Sequence, residues 1–239
     1  MSEQGPRPTR RQERRSQTVQ EIKTLAMQQV SEGGPDAVTL SGIVREMAMS
    51  PAALYRYFAS RDALLADLVV DAYDDFADSV LDAAQDRSDA GQHLTDVLNG
   101  ARDWALANPN AYRLIFQTSI GSGQELAPER TIPAASRSMT TIVEAIAAVA
   151  GPEDGAEDST IGATTDPALD VALDAWAERS ELSQYPRRVL LLGLAAWTRL
   201  HGIMSLELGG HLPATGIDAG LLYANEIEAI RAEASARPV

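Results

Sequence analysis

Residues 39–65 read TLSGIVREMAMSPAALYRYFASRDALL. Leu40, Ile43, Val44 and Met47 recur at the i, i+3, i+4, i+7 spacing of a buried helix face, and Thr39 in front of them suits an N-cap. Ser50-Pro51 opens a second helix, with a cap followed by a proline whose missing N–H costs nothing at the first helical position. Leu54 and Phe58 form the inner face of that very short helix. Ser60 then caps a longer helix, running to about residue 84, with the stripe Leu65, Leu68, Ala72, Phe76, Val80. The two short helices, about eight residues each, are joined by the turn Ala48-Met49-Ser50 and cannot enclose a core alone. Upstream, the stripe Val19, Ile22, Ala26, Val30, stopped by Gly33-Gly34-Pro35, supplies a third partner. The expected product is a three-helix unit with Ile43, Val44, Met47, Leu54 and Phe58 facing inward.

That packing leaves Ala52, Ala53, Tyr55, Arg56 and Tyr57 on the outer side of the short helix, which fits a B-DNA major groove. The helix starts at Thr39 and Ser50 offer N–H groups and hydroxyls to phosphate. In front lies an arginine-rich arm, Arg7, Arg10, Arg11, Arg14 and Arg15, suited to a DNA backbone or minor groove. On its own the arm would read as a solvated tail before a DNA contact, and the two tyrosines could be packing residues. Ahead of a helix-turn-helix, and with Leu54 and Phe58 already inside, DNA contact is the stronger reading.

The stretch Thr39–Leu65 resembles the DNA-binding signature of the TetR (tetracycline repressor-like) family over about residues 14–70. The resemblance rests on Ser50, Pro51, Leu54, Tyr55, Phe58, Arg61, Leu64 and Leu65. Two positions depart from the pattern: the turn glycine is Ala48, and the basic residue after the third helix is Arg61 instead of lysine. The expected DNA-contacting set is Arg10, Arg11, Arg14, Arg15, Thr39, Ser50, Pro51, Ala52, Ala53, Tyr55, Arg56, Tyr57 and Arg61.

Charge is divided unevenly. The chain carries a net charge of −14, yet residues 1–62 hold nine Lys/Arg against seven Asp/Glu, while residues 63–239 hold eleven against twenty-seven. An acidic body repelled by DNA would direct the N-terminal end toward the duplex. The expected domains are therefore an arm with a helix-turn-helix DNA-binding domain over 1–62 and a helical effector-binding and dimerisation domain over 63–239.

Every patterned segment downstream also repeats at helical spacing. Leu94 to Ala105 predict a helix ending before Asn108-Pro109, and Tyr112, Ile115 and Phe116 a shorter one. Ala135, Met139, Ile142, Ile146 and Val149 predict another, closed by Gly151-Pro152, and residues 151–166 a mobile acidic loop. Leu169, Leu173, Trp176 and Ala177 predict a helix, the most apolar helix follows Pro186, and Thr215 is read as the cap of the last. The fold class is all-α, with about ten helices.

A second resemblance, to a Trp…His-Gly C-terminal domain of one subgroup of the same family, is carried by Trp197, His201-Gly202 and the stretch Asn108–Phe116. It implies a homodimer built from the last two long helices, and Leu191, Leu194, Trp197 and His201 are the expected interface. Trp104, Tyr112, Phe116, Met139 and Trp176 are the candidates to line an effector pocket, although each taken singly reads as core first. His201 reads as a core histidine before a metal ligand, since the other histidines are only His93 and His211.

No cysteine, Gly-rich phosphate loop or His/carboxylate constellation suggests an enzyme, and no cofactor or metal is expected. No run reaches the roughly 18 uncharged apolar residues of a membrane span, and no export signal is legible, so residence is expected to be cytoplasmic. The expected function is a sequence-specific transcriptional regulator, a repressor released from a pseudo-palindromic double-stranded DNA operator by a small-molecule effector. The rival is a constitutive or architectural DNA binder without an effector.

Overall fold

The computed structural model describes residues 9–83, 85, 88–117, 127–151 and 166–236. Among these residues there are ten α-helices and no strand, the all-α class that periodicity predicts. The chain divides into two compact units, residues 1–72 with 110–131 and residues 73–109 with 132–239. The first unit thus takes in more than the 1–62 segment marked by motif and charge.

The first unit contains α1 (Arg10–Gly33), α2 (Leu40–Glu46), α3 (Pro51–Leu54) and the start of α4 (Arg61–Ala83). α6 (Pro109–Tyr112) leads into a π-helical turn, Arg113–Gln117, in the same unit. Ile22, Ala26 and Val30 of α1, Ile43 of α2, Leu54, Phe58 and then Leu64, Leu65 and Leu68 of α4 are buried. Val44 and Met47, expected inside, are only half-buried, because α2 has barely two turns and its flanks reach solvent.

α1 starts earlier than its apolar stripe. Thr9 and Gln12 form a reciprocal capping box, so Arg10 to Arg15 belong to the helix and are no extended arm. Arg7 lies outside the described residues.

The second unit holds α5 (Ala90–Ala107), α8 (Pro167–Arg179), α9 (Arg187–Leu208) and α10 (Ala219–Ser235), with the later parts of α4 and of α7 (Pro128–Ala150). α9 packs on α5, α8 and α10. Arg102 of α5 makes a two-pronged pair with Glu207 of α9, donating from Nε at 3.0 Å and Nη2 at 2.6 Å, and lies over the Tyr223 ring of α10. The Tyr223 hydroxyl donates to the Leu98 carbonyl at 2.6 Å, so this buried phenol is satisfied.

Three local expectations change here. Thr215 does not cap the last helix: its hydroxyl donates to the Leu212 carbonyl in a 3-10 turn, Gly216 takes a left-handed φ of 71°, and the Asp218 carboxylate caps α10 through the Leu221 N–H. Leu169 is 41% exposed, since it lies in the first turn of α8, ahead of the buried pair Leu173 and Ala177. α7 begins at Pro128, ahead of its apolar stripe, and carries Pro133 inside it. Of the expected mobile loop, residues 152–165 lie outside the described set.

α9 is, by length and apolar content, the one described helix that would suit a bilayer crossing. Its buried residues Val189, Gly193, Ala196, Leu200 and Met204 follow the three-to-four spacing of a core-facing stripe. The would-be Cβ of Gly193 falls 2.9 Å from a Val143 methyl, so α7 and α9 meet closely at that point.

Helices α4 and α5 also approach closely, at Gly100 of α5. A Cβ there would stand 2.7 Å from the Ala83 methyl and 3.3 Å from the Ser79 carbonyl of α4. Helix propensity alone would make Gly100→Ala stabilising by about 1 kcal/mol. Overpacking against backbone and a methyl that cannot rotate away costs about 1–3 kcal/mol. The expected outcome is a net loss near 1 kcal/mol, read as a lower melting temperature; a higher one would show that α4 and α5 separate freely.

Candidate nucleic-acid interface

The short helices are fixed at their starts. The Thr39 hydroxyl accepts from the Gly42 N–H, the Ser50 hydroxyl from the Ala53 N–H, and the Ser60 hydroxyl from the Ala63 N–H. Gln29 of α1 adds a contact that no local pattern announces, its Oε1 accepting the Thr39 N–H at 2.8 Å. This ties the entry of α2 to α1.

Between α2 and α3, Ala48 has a φ of +50°, in the region that favours glycine. Its N–H donates to the Arg45 carbonyl, and the Met49 N–H reaches back to Val44, closing the turn. α3 itself is a single turn, Pro51–Leu54, continued by hydrogen-bonded turns through Phe58. Leu54 and Phe58 are buried; Pro51, Ala52 and Arg56 are exposed, Ala53 and Tyr57 half-buried, and Tyr55 is 56% exposed.

Four arginines of α1 and one beyond α3 share a groove. It is lined by Arg10, Arg11, Arg14, Arg15, Thr18, Arg56 and Tyr57. The Arg15 guanidinium lies 5.1 Å from the centre of the Tyr57 ring and donates to the Arg56 carbonyl at 3.4 Å. Among the described residues, Arg10, Arg11, Arg14 and Arg56 have no ion-pair partner, whereas Arg102, Arg130, Arg137, Arg187, Arg199 and Arg231 are all held by carboxylates.

Arg61 is placed differently from the rest of the expected set. Its Nε donates to the Val38 carbonyl at 2.9 Å and its Nη2 to the Pro35 carbonyl at 2.6 Å, with Asp36 and Asp62 beside it. The guanidinium joins the start of α4 to the connection between α1 and α2.

Residues 22–68 match the bacterial regulatory proteins of the tetR family, and residues 94–230 match the tetracyclin repressor-like C-terminal domain. The chain belongs to the TetR family. HTH-type transcriptional regulators of Mycobacterium bovis and Mycobacterium tuberculosis are 31% identical to it over 220 residues, covering 90% of this chain and 91% of theirs. The crystal structure of a regulatory protein 36% identical covers 94% of this chain and 98% of its own, with a TM-score of 0.75. A TetR family transcriptional regulator, PfmR from Thermus thermophilus, shares the fold at 16% identity, covering 88% of this chain and 97% of its own with a TM-score of 0.55. This protein is accordingly a DNA-binding transcriptional regulator of the TetR family.

In this TetR-family chain the five residues considered for an effector pocket are divided. Trp104, Met139 and Trp176 belong to the second unit, Tyr112 and Phe116 to the first. Trp104 is buried, tilted against Phe76 at 5.0 Å, and its indole N–H donates to Asp75 at 2.7 Å; Met139 and Trp176 are half-buried. Tyr112 is fully buried and packs on Phe116 at 5.0 Å. Leu191, Leu194, Trp197 and His201 are half-buried along α9. Trp197 and His201 stack at 5.3 Å, and burial pushes the His201 imidazole below its ordinary range.

Ala48 generates a stability prediction for this regulator. A left-handed non-glycine residue costs about 1–2 kcal/mol, and glycine's greater freedom in the unfolded chain takes back about 0.5–1 kcal/mol. Ala48→Gly should therefore stabilise by about 0.5–1 kcal/mol, raising the melting temperature by a few degrees. A lower melting temperature would mean that the turn leaves the left-handed region in solution.

Proposed function

We propose that this regulator is a homodimeric, cytoplasmic repressor that grips a pseudo-palindromic operator through α2, α3 and the arginine face of α1, and releases it when a small molecule enters the helical body. The observation that carries the DNA-contact assignment is the set of exposed arginines without acidic partners in a chain of net charge −14. Tyr55 and Arg56 supply the most exposed side chains at the end of α3, with Ala52 and Ala53 permitting close approach of the helix to base edges. The capped starts of α2 and α3, at Thr39 and Ser50-Pro51, add phosphate contacts. Arg61 supports the reading unit from within, through the carbonyls it already engages.

The division of labour follows the charge. Residues 1–62 contact DNA, and residues 63–239 provide effector binding and dimerisation. The half-buried residues Leu191, Leu194, Trp197 and His201 of α9 are the proposed subunit contact, as an apolar helix with two partly apolar sides calls for a second partner. Met139 and Trp176, with Trp104 beneath the surface, are the proposed effector contacts of the second unit; in the first, Tyr112 is buried core and the half-buried Phe116 packs on it. α4 is one continuous helix whose residues contribute to both units, so a ligand that tilts it changes the spacing of the two recognition helices.

Two measurements test this. On a duplex from the DNA upstream of its own gene, Tyr55→Ala should weaken binding by about 1–3 kcal/mol while leaving the melting temperature unchanged. Unchanged affinity would remove α3 from the reading surface. A small molecule that raises the melting temperature of the free protein should lower affinity for that duplex about 5- to 150-fold. Saturating ligand with no effect on DNA affinity would make the protein a constitutive DNA binder, and equal affinity for random DNA an architectural one.

A further inference from the structure

We propose that Tyr57 is a positioning residue, whose ring holds the Arg15 guanidinium in the cationic groove so that Arg15 clamps a DNA backbone phosphate. The inference rests on the DNA-binding reading above and assigns Tyr57 a part other than base contact. Tyr57 and Tyr55 are near neighbours in sequence with opposite surroundings. Tyr55 is exposed, whereas Tyr57 is half-buried beneath a guanidinium 5.1 Å from its ring centre.

The reason lies in the crowding of like charges. Arg15 shares its groove with Arg10, Arg11, Arg14 and Arg56, and no carboxylate pairs with it among the described residues. Repulsion would swing a free guanidinium out into water. The negative face of the Tyr57 ring and the Arg56 carbonyl, 3.4 Å from the Arg15 Nη2, hold it in place. The ring takes one face of the guanidinium and the Arg56 carbonyl one N–H, leaving other N–H groups for an anionic partner that offers two oxygens. A phosphodiester fits this arrangement: it is anionic and offers oxygens in pairs. Phosphate contact carries no base preference, so Tyr57 contributes equally on every sequence.

The test compares Tyr57→Phe, Tyr57→Leu, Arg15→Ala and the Tyr57→Leu/Arg15→Ala double variant on the upstream duplex and on a random duplex of equal length, across a salt series. Tyr57→Phe keeps the ring and should bind within about twofold of the parent. Tyr57→Leu and Arg15→Ala should each weaken binding to both duplexes by about 3- to 30-fold and lower the magnitude of the salt slope by about 0.9. The double variant should be no weaker than Arg15→Ala, because the two residues act as one unit. Additive losses, a Tyr57→Phe loss equal to that of Tyr57→Leu, or a loss confined to the upstream duplex would overturn the proposal. If Tyr57→Leu melts early, the Arg15→Ala slope decides alone, and an unchanged slope overturns it. A parent protein that binds neither duplex overturns the DNA-binding reading itself, an outcome distinct from parental binding with additive variants.

Discussion

The guanidinium of Arg61 occupies the junction on which the DNA-reading unit depends. α2 and α3 have seven and four residues, far below the length at which helices hold in water without tertiary support. Their geometry is imposed from outside. Arg61 gathers the carbonyls of Pro35 and Val38 onto the first turn of α4, and Gln29 fixes the entry of α2 from α1. With the two flanking long helices set in this way, Ile43, Leu54 and Phe58 can close a small core, and the outer side of α3 follows as a geometric remainder. Replacing the expected lysine by arginine matters here, because a planar fork can satisfy two carbonyls at once where an ammonium is a point charge.

Electrostatics then separates the molecule into two chemistries. Among the described residues of α5, α7, α8, α9 and α10, most basic side chains are met by Asp or Glu, as in Arg137 with Asp74 and Asp78, or Arg199 with Glu226 and Glu233, while Arg188 is held by backbone carbonyls. Such exposed pairs add little stability individually. What they do is place a carboxylate beside each of these cations. The arginines of α1 are spared this, and the resulting contrast, more than the net charge, supports the DNA-contacting face proposed above.

Much of this was legible in residues taken one after another. Thr39, Ser50-Pro51 and Ser60 announce their caps, the stripe through Leu65, Leu68 and Phe76 announces α4, and the Ala48 departure from glycine points to a strained turn, found at φ +50°. The helical state of Arg10 to Arg15 was also written, in the Thr9-x-x-Gln12 capping box, but charge is a louder signal than a cap when a segment lacks apolar residues. Leu169 and Thr215 show the limit of local pattern, since each sits beside an equally plausible neighbour, Leu173 or Asp218, and only packing chooses between them. Arg61 with Val38, Gln29 with Thr39 and Arg15 with Tyr57 join residues ten to forty-odd positions apart, and no periodicity encodes such pairs.

The apolar character of α9 has a consequence for the chain's synthesis. A 22-residue segment this apolar exposes surface prone to association while it is unpacked. Its position in the chain limits that exposure. α5, α7 and α8 are translated first, so the Gly193 notch against Val143 and the stripe through Ala196 and Leu200 find partners as α9 emerges. The covering helix α10 ends at residue 235, and at about 5–20 residues per second the ribosome delivers it within about 1–5 s of the end of α9. Translation order therefore shortens the time for which this apolar helix is without its neighbours, and a stall between the two helices would lengthen it.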